Sequence, residues 1–117
     1  MGCKKRRGNV QIVHSLDEMK SIINEQRLTL LYISRPDCSV CHGLLPQVEQ
    51  VLNDYPVVTA IHASAEEVPE VAAEYSIFTV PVIIVFADGK EMFRKARFVP
   101  IEEFRSQLSK LITLMEI

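Results

Sequence analysis

The sequence predicts an α/β domain built on a central mixed β-sheet of four or five strands, with helices on both faces. Three observations carry that expectation. Continuous apolar runs at residues 28–33, 57–61 and 82–86 read as strands buried on both faces. Stretches of helical period alternate with these runs, as they do in βαβ units. An Asp88-Gly89 turn then joins the third run to a fourth, which makes that pair an antiparallel hairpin.

The elements follow in order. Residues 10–13 suit a short edge strand. Ser15 and Glu18 stand as N-cap and N3 of a capping box, so a helix begins there, with Leu16, Met19, Ile22 and Ile23 on its apolar face. The strand at 28–33 is broken by Arg35-Pro36-Asp37. Leu44, Leu45, Val48, Val51 and Leu52 draw the face of a second helix that ends near Tyr55-Pro56. After the strand at 57–61, Val68, Val71, Ala72 and Tyr75 suggest a shorter third helix before Thr79-Val80-Pro81. The hairpin takes residues 82–86 and 91–98. Ile101, Phe104, Leu108, Leu111, Ile112 and Met115 face inward from a closing helix over residues 101–115.

Composition narrows the function. With 117 residues, 48% of them hydrophobic, one domain over residues 9–117 buries a core without disulfide staples or a structural metal. The net charge of −2 hides an asymmetry: four of the thirteen cations are Lys4, Lys5, Arg6 and Arg7. Residues 8–117 then hold nine cations against fifteen anions, a net of −6. An acidic body gives no face for neutralising phosphates, so nucleic acid is not an expected partner. Residues 1–8 read as a flexible basic tail. Gly2 and Cys3 beside the basic run resemble an acylated anchor, but the myristoylation pattern wants Ser or Thr where Arg6 stands, so membrane contact through the tail is not expected. No apolar signal core opens the chain and the three cysteines are sparse and odd in number, so a reducing, cytoplasmic setting is the expectation. A monomer is expected as well.

Two of those cysteines carry the chemistry. Cys38 and Cys41 fall on the first turn of the second helix, where residues three apart have Cβ atoms roughly 5–6 Å from each other. They can join as a disulfide with small backbone adjustment. Cys38 at the N-cap faces unpaired backbone N–H groups and the positive end of the helix dipole, which favour a thiolate. Thiols so placed titrate at roughly 3.5–7.5 against about 8.5 for an unperturbed one, making Cys38 the nucleophile and Cys41 the resolving thiol.

Cys38-Ser39-Val40-Cys41 followed by Pro46, then Thr79-Val80-Pro81 opening a strand, then Asp88-Gly89-Lys90, stand in an order that resembles the thioredoxin family over about residues 10–115. The resemblance implies the thioredoxin fold and a thiol–disulfide oxidoreductase with no cofactor beyond a redox-active Cys38–Cys41 disulfide. It implies protein disulfides as substrates and an electron-donating reductase as partner. Pro81 would be a cis-proline facing the cysteines, with Thr79 and the Val80 backbone binding an extended stretch of substrate. Pro46 would kink the second helix.

The chain departs from the family's Trp-Cys-Gly-Pro-Cys at Asp37, Ser39 and Val40, and it contains no tryptophan. Ser39 and Val40 are therefore expected to tune the redox poise. Tyr32 stands where relatives carry a buried aspartate that takes the resolving thiol's proton, and His62 stands in for a nearby lysine. His62 or a water then becomes the expected proton acceptor. His42, next to Cys41, is either a cation beside the thiolate or a solvated helix residue.

Three other readings have distinct signatures. Cys38-Ser39-Val40-Cys41-His42 fits covalent haem attachment, which a visible haem spectrum would reveal. Cys38, Cys41, His42 and His62 are a possible zinc set, for which stoichiometric metal would block thiol titration. A redox-silent peptide-binding module would keep its partner after Cys38→Ser.

Overall fold

The computed structural model describes residues 10–117. The expected tail at 1–8, with Gly2 and Cys3, and the expected domain start at residue 9 lie outside the described residues. The chain forms β1 (Val10–Ile12), α1 (Leu16–Glu25), β2 (Leu28–Ser34), α2 (Ser39–Asn53), β3 (Thr59–Ser64), α3 (Glu70–Tyr75), β4 (Val82–Ala87), β5 (Lys90–Ala96) and α4 (Ile101–Met115). The five strands make one mixed sheet in the order β1-β3-β2-β4-β5. β3 runs parallel to β1 and β2, and β4 is antiparallel to both β2 and β5.

Every residue of β2 is buried, because the strand lies at the centre of the sheet with a layer on each face. Its alternate side chains divide the core in two. Leu28, Leu30 and Tyr32 join Leu44, Val48 and Val51 of α2 and Phe104 and Leu108 of α4 on one face. Leu31 and Ile33 join Met19 and Ile23 of α1 and Val71 of α3 on the other. This period-two division fixes register, since a slip of one residue would exchange the two faces.

Local chemistry sets the ends of the elements. Ser15 Oγ accepts the Glu18 N–H at 3.1 Å and caps α1. The Glu18 carboxylate turns to the N–H of His14 at 2.9 Å, one residue before the cap, instead of closing the box on Ser15 itself. Asp88 and Gly89, with φ of 52° and 83°, form the two-residue hairpin turn that only left-handed backbone allows.

Two strands differ from the expectation by more than one residue at an end, the others by one. β3 occupies Thr59–Ser64, not residues 57–61. Val57 is an exposed turn residue, and the strand continues through His62 and Ser64 because the register with β2 runs unbroken from Thr29 opposite Thr59 to Ser34 opposite Ser64. β5 spans Lys90–Ala96, not 91–98, since Arg97 takes a left-handed φ of 66° and leaves the ladder.

Candidate active site

The site stands where the C-terminal end of β2 turns into α2. Pro36 presets the turn that closes with Cys38 N–H donating to the Arg35 carbonyl at 3.2 Å. Cys38 then becomes the N-cap of α2, and its sulfur accepts the Cys41 N–H at 3.1 Å. A cysteine thus fills the position that Ser or Asp commonly takes, and its Sγ lies among the unpaired donors of the first turn. Pro46 lies inside an α2 that remains one helix from Ser39 to Asn53. It has no N–H to give to the carbonyl of His42, four residues back.

Cys38 and Cys41 are joined as a disulfide with Cα atoms 5.3 Å apart. The two sulfurs differ in access: Cys38 is half-buried, whereas Cys41 is 2% exposed. Cys38 opens onto a groove of about 540 Å³ whose other wall includes Thr79, Val80, Arg97 and Phe98. The chain reaches that wall from α3 through Ser76, whose left-handed φ of 56° ends the helix, and through the buried Ile77. The Val80–Pro81 peptide is cis, and the Pro81 carbonyl accepts the Arg97 N–H at 2.6 Å. Ser39 and Val40 line the same groove. The structure therefore brings Cys38, Ser39, Val40, Thr79 and Val80 around one opening.

Beneath the disulfide, Tyr32 donates its O–H to the Cys41 carbonyl at 2.6 Å. Its side chain is 1% exposed, and burial pushes the phenol up to about 12. Tyr32 is therefore a neutral donor at physiological pH and not a base. Its ring meets that of His62 edge-on, with centroids 5.2 Å apart, because the two residues are direct partners in the β2–β3 register. His62 Nε2 lies 2.7 Å from Ser34 Oγ. Desolvation first, and the nearby His42 second, hold the His62 imidazolium below its ordinary range, so the ring is neutral at pH 7 and able to take a proton.

His42 lies near His62 but makes its side-chain hydrogen bond outside this chain of contacts. Its Nε2 lies 2.9 Å from the Pro36 carbonyl, to which it can donate, and it lines a second cleft of about 350 Å³ together with His14, His62, Ser34 and Glu67. Among the described residues no group of three or more His, Cys, Asp or Glu side chains is placed to hold a metal ion.

Three participants were not singled out from the sequence. Ser34 could have been found, since period two puts it on the Tyr32 face of β2. Arg97 and Phe98 gave no signal before the β5 boundary was known, because both fell inside an expected strand.

The comparisons with known proteins agree with this geometry. A family model described as a thioredoxin-like domain matches residues 16–112. The thioredoxin-like protein YdfQ of Bacillus subtilis is 42% identical over 104 residues, covering 89% of this chain and 93% of the relative. Thioredoxin from Trypanosoma brucei brucei superposes with a TM-score of 0.84 at 19% identity, covering 97% of this chain and 99% of that one. Plasmodium falciparum thioredoxin does so with a TM-score of 0.74 at 25% identity, over 88% and 96% of the two chains. The matched fold and the disulfide-linked Cys-x-x-Cys pair support thiol–disulfide oxidoreductase chemistry in general. With the sheet order, the helix-capping Cys38 and the family model all in accord, this chain belongs to the thioredoxin-like family.

Proposed function

We propose that the protein reduces protein disulfides in the cytoplasm through a Cys38/Cys41 dithiol–disulfide cycle. The observation that carries this reading is the access of the two sulfurs: the N-cap sulfur opens onto a groove, while its partner one turn inside is buried. That arrangement supports Cys38 as nucleophile and Cys41 as resolving thiol.

In the reduced protein, the Cys38 thiolate attacks one sulfur of a substrate disulfide. A Cys38–substrate disulfide forms and the other substrate sulfur leaves as a thiolate. Cys41, losing its proton, then attacks Cys38 Sγ. The Cys38–Cys41 disulfide forms and the second substrate thiol is released, so two electrons have passed to the substrate. An electron-donating dithiol reductase closes the cycle, and no resident cofactor is required. The backbone of Thr79 and Val80, across the groove from Cys38, suits pairing with an extended stretch of substrate. Ser39 and Val40 tune the potential from the same groove. His62, neutral and packed edge-on against the Tyr32 ring whose hydroxyl bonds the Cys41 carbonyl, is the acceptor proposed for the resolving proton, with water carrying it from the Cys41 sulfur.

Among the described residues no helix is long and apolar enough to cross a membrane. The monomer is proposed as the working unit.

The test is trapping. The wild-type protein, supplied with dithiothreitol, should turn over a disulfide-bonded protein substrate, and Cys38→Ser should lose all turnover. Cys41→Ser should accumulate a covalent adduct that dithiothreitol releases. Retained turnover in Cys38→Ser would defeat the assignment.

A further inference from the structure

The groove over Cys38 is the middle of a longer trough. A hollow of about 460 Å³ lined by Arg35, Ile77 and Phe78 shares Thr79 and Val80 with it. A third hollow of about 280 Å³, lined by Gly43, Gln47 and Val99, shares Val40, Arg97 and Phe98 with it on the other side. Large apolar side chains stand open along this path: Phe78 is 93% exposed, Phe98 80% and Val40 60%. An apolar strip centred on a reactive sulfur marks a contact surface.

Charge distinguishes the strip. Asp37 and Arg35 pair with each other at 3.7 Å and largely cancel. Arg97 remains, and among the described residues no carboxylate lies within ion-pair distance of it. Its backbone has a φ of 66°, a left-handed conformation that suits glycine and costs a residue with a Cβ. A long cation kept at a position better suited to glycine, on the wall facing the nucleophile, points to a role for the side chain.

We propose that Arg97 selects the substrate: the disulfide reduced at Cys38 lies in an extended protein segment with an acidic residue near its cysteine and apolar neighbours that cover Phe98 and Val40. This rests on the function proposed above and names its substrate class. The acidic body, at −6 over residues 8–117, repels such a segment at a distance. At physiological salt, however, screening acts over about 8 Å, so the charge in the groove decides once contact is made. The chemistry is the two-step exchange already described, with the guanidinium pairing with a substrate carboxylate and taking no part in bond making.

Two synthetic peptide disulfides test this, one with Asp and the other with Lys two residues before and after the cysteine, and otherwise alike. With dithiothreitol as reductant, kcat/KM is measured for wild type, Arg97→Lys and Arg97→Glu, and the ratio between the two peptides is the readout. Wild type should favour the Asp peptide by about threefold, a value typical of an exposed ion pair. Arg97→Lys should keep the preference, Arg97→Glu should reverse it, and 1 M salt should erase it in all three proteins. The same ratio in all three proteins overturns the role of Arg97 while leaving the redox cycle standing. Failure of wild type to reduce either peptide overturns both.

Discussion

Tyr32 donates its phenolic proton to the backbone carbonyl of Cys41 across 2.6 Å, and so ties the centre of the sheet to the first turn of α2. The bond is buried, and burial pushes the phenol's pKa up to about 12. Where a carboxylate would be a proton acceptor, this residue can only hold the resolving cysteine in place.

Removing that hydroxyl should therefore weaken the fold without creating a new base. Tyr32→Phe should cost about 1 kcal/mol, the usual value of a buried neutral hydrogen bond. Denaturant unfolding of the disulfide form checks this, and an unchanged midpoint would mean that the bond contributes nothing.

His62 should separate the two chemical steps. In single-turnover experiments His62→Gln should slow the release of substrate from the Cys38 adduct more than it slows formation of that adduct, because only the second step needs a new proton acceptor. Equal slowing of both steps would remove His62 from the proton route.

The same residue predicts a pH dependence of stability. Burial lowers the His62 pKa below its unfolded value of about 6.5, so the unfolded chain binds the proton more readily. The contribution of neutral His62 is thus fully present above about 6.5 and is lost as pH falls through the folded pKa. His14 acts in the opposite sense: its hydrogen bond to Glu67 raises its pKa, so its contribution is present below about 6.5 and fades as pH rises through the folded value. Thermal unfolding from pH 7.5 down to 5 should show His62→Gln losing less stability than wild type over that fall. A steeper loss in the variant would reverse the assignment.

Thr29 offers a gain. Its hydroxyl is fully buried in β2 and finds no protein partner among the described residues. Thr29→Val keeps the shape and removes an unsatisfied polar group, which should stabilise the protein by about 1 kcal/mol in equilibrium unfolding. A destabilised variant would show that the hydroxyl is satisfied after all.

How far the site was legible follows from how local each feature is. α4 was fully readable, because its apolar period and its bounds at Ile101 and Met115 depend on neighbours three and four apart. The Ser15 cap, the Asp88-Gly89 turn and Cys38 at the head of α2 are equally local. β3 was misjudged because its last residues, His62, Ala63 and Ser64, are held by pairing with a strand some thirty positions earlier, and two of them are polar. The Ser34–His62 contact depends on that register, so it could not be seen before the register was known. Arg97 was hidden for a different reason: its importance comes from a backbone conformation that its residue type does not announce.

The most direct measurement is a redox titration of the Cys38–Cys41 couple in a Cys3→Ser background, counting thiols against glutathione and dithiothreitol buffers. The account predicts one reversible two-electron transition with a midpoint more reducing than roughly −220 mV, as a cytosolic reductase requires. Thiols that stay reduced across the whole range, or a transition that does not fit two electrons, would contradict it.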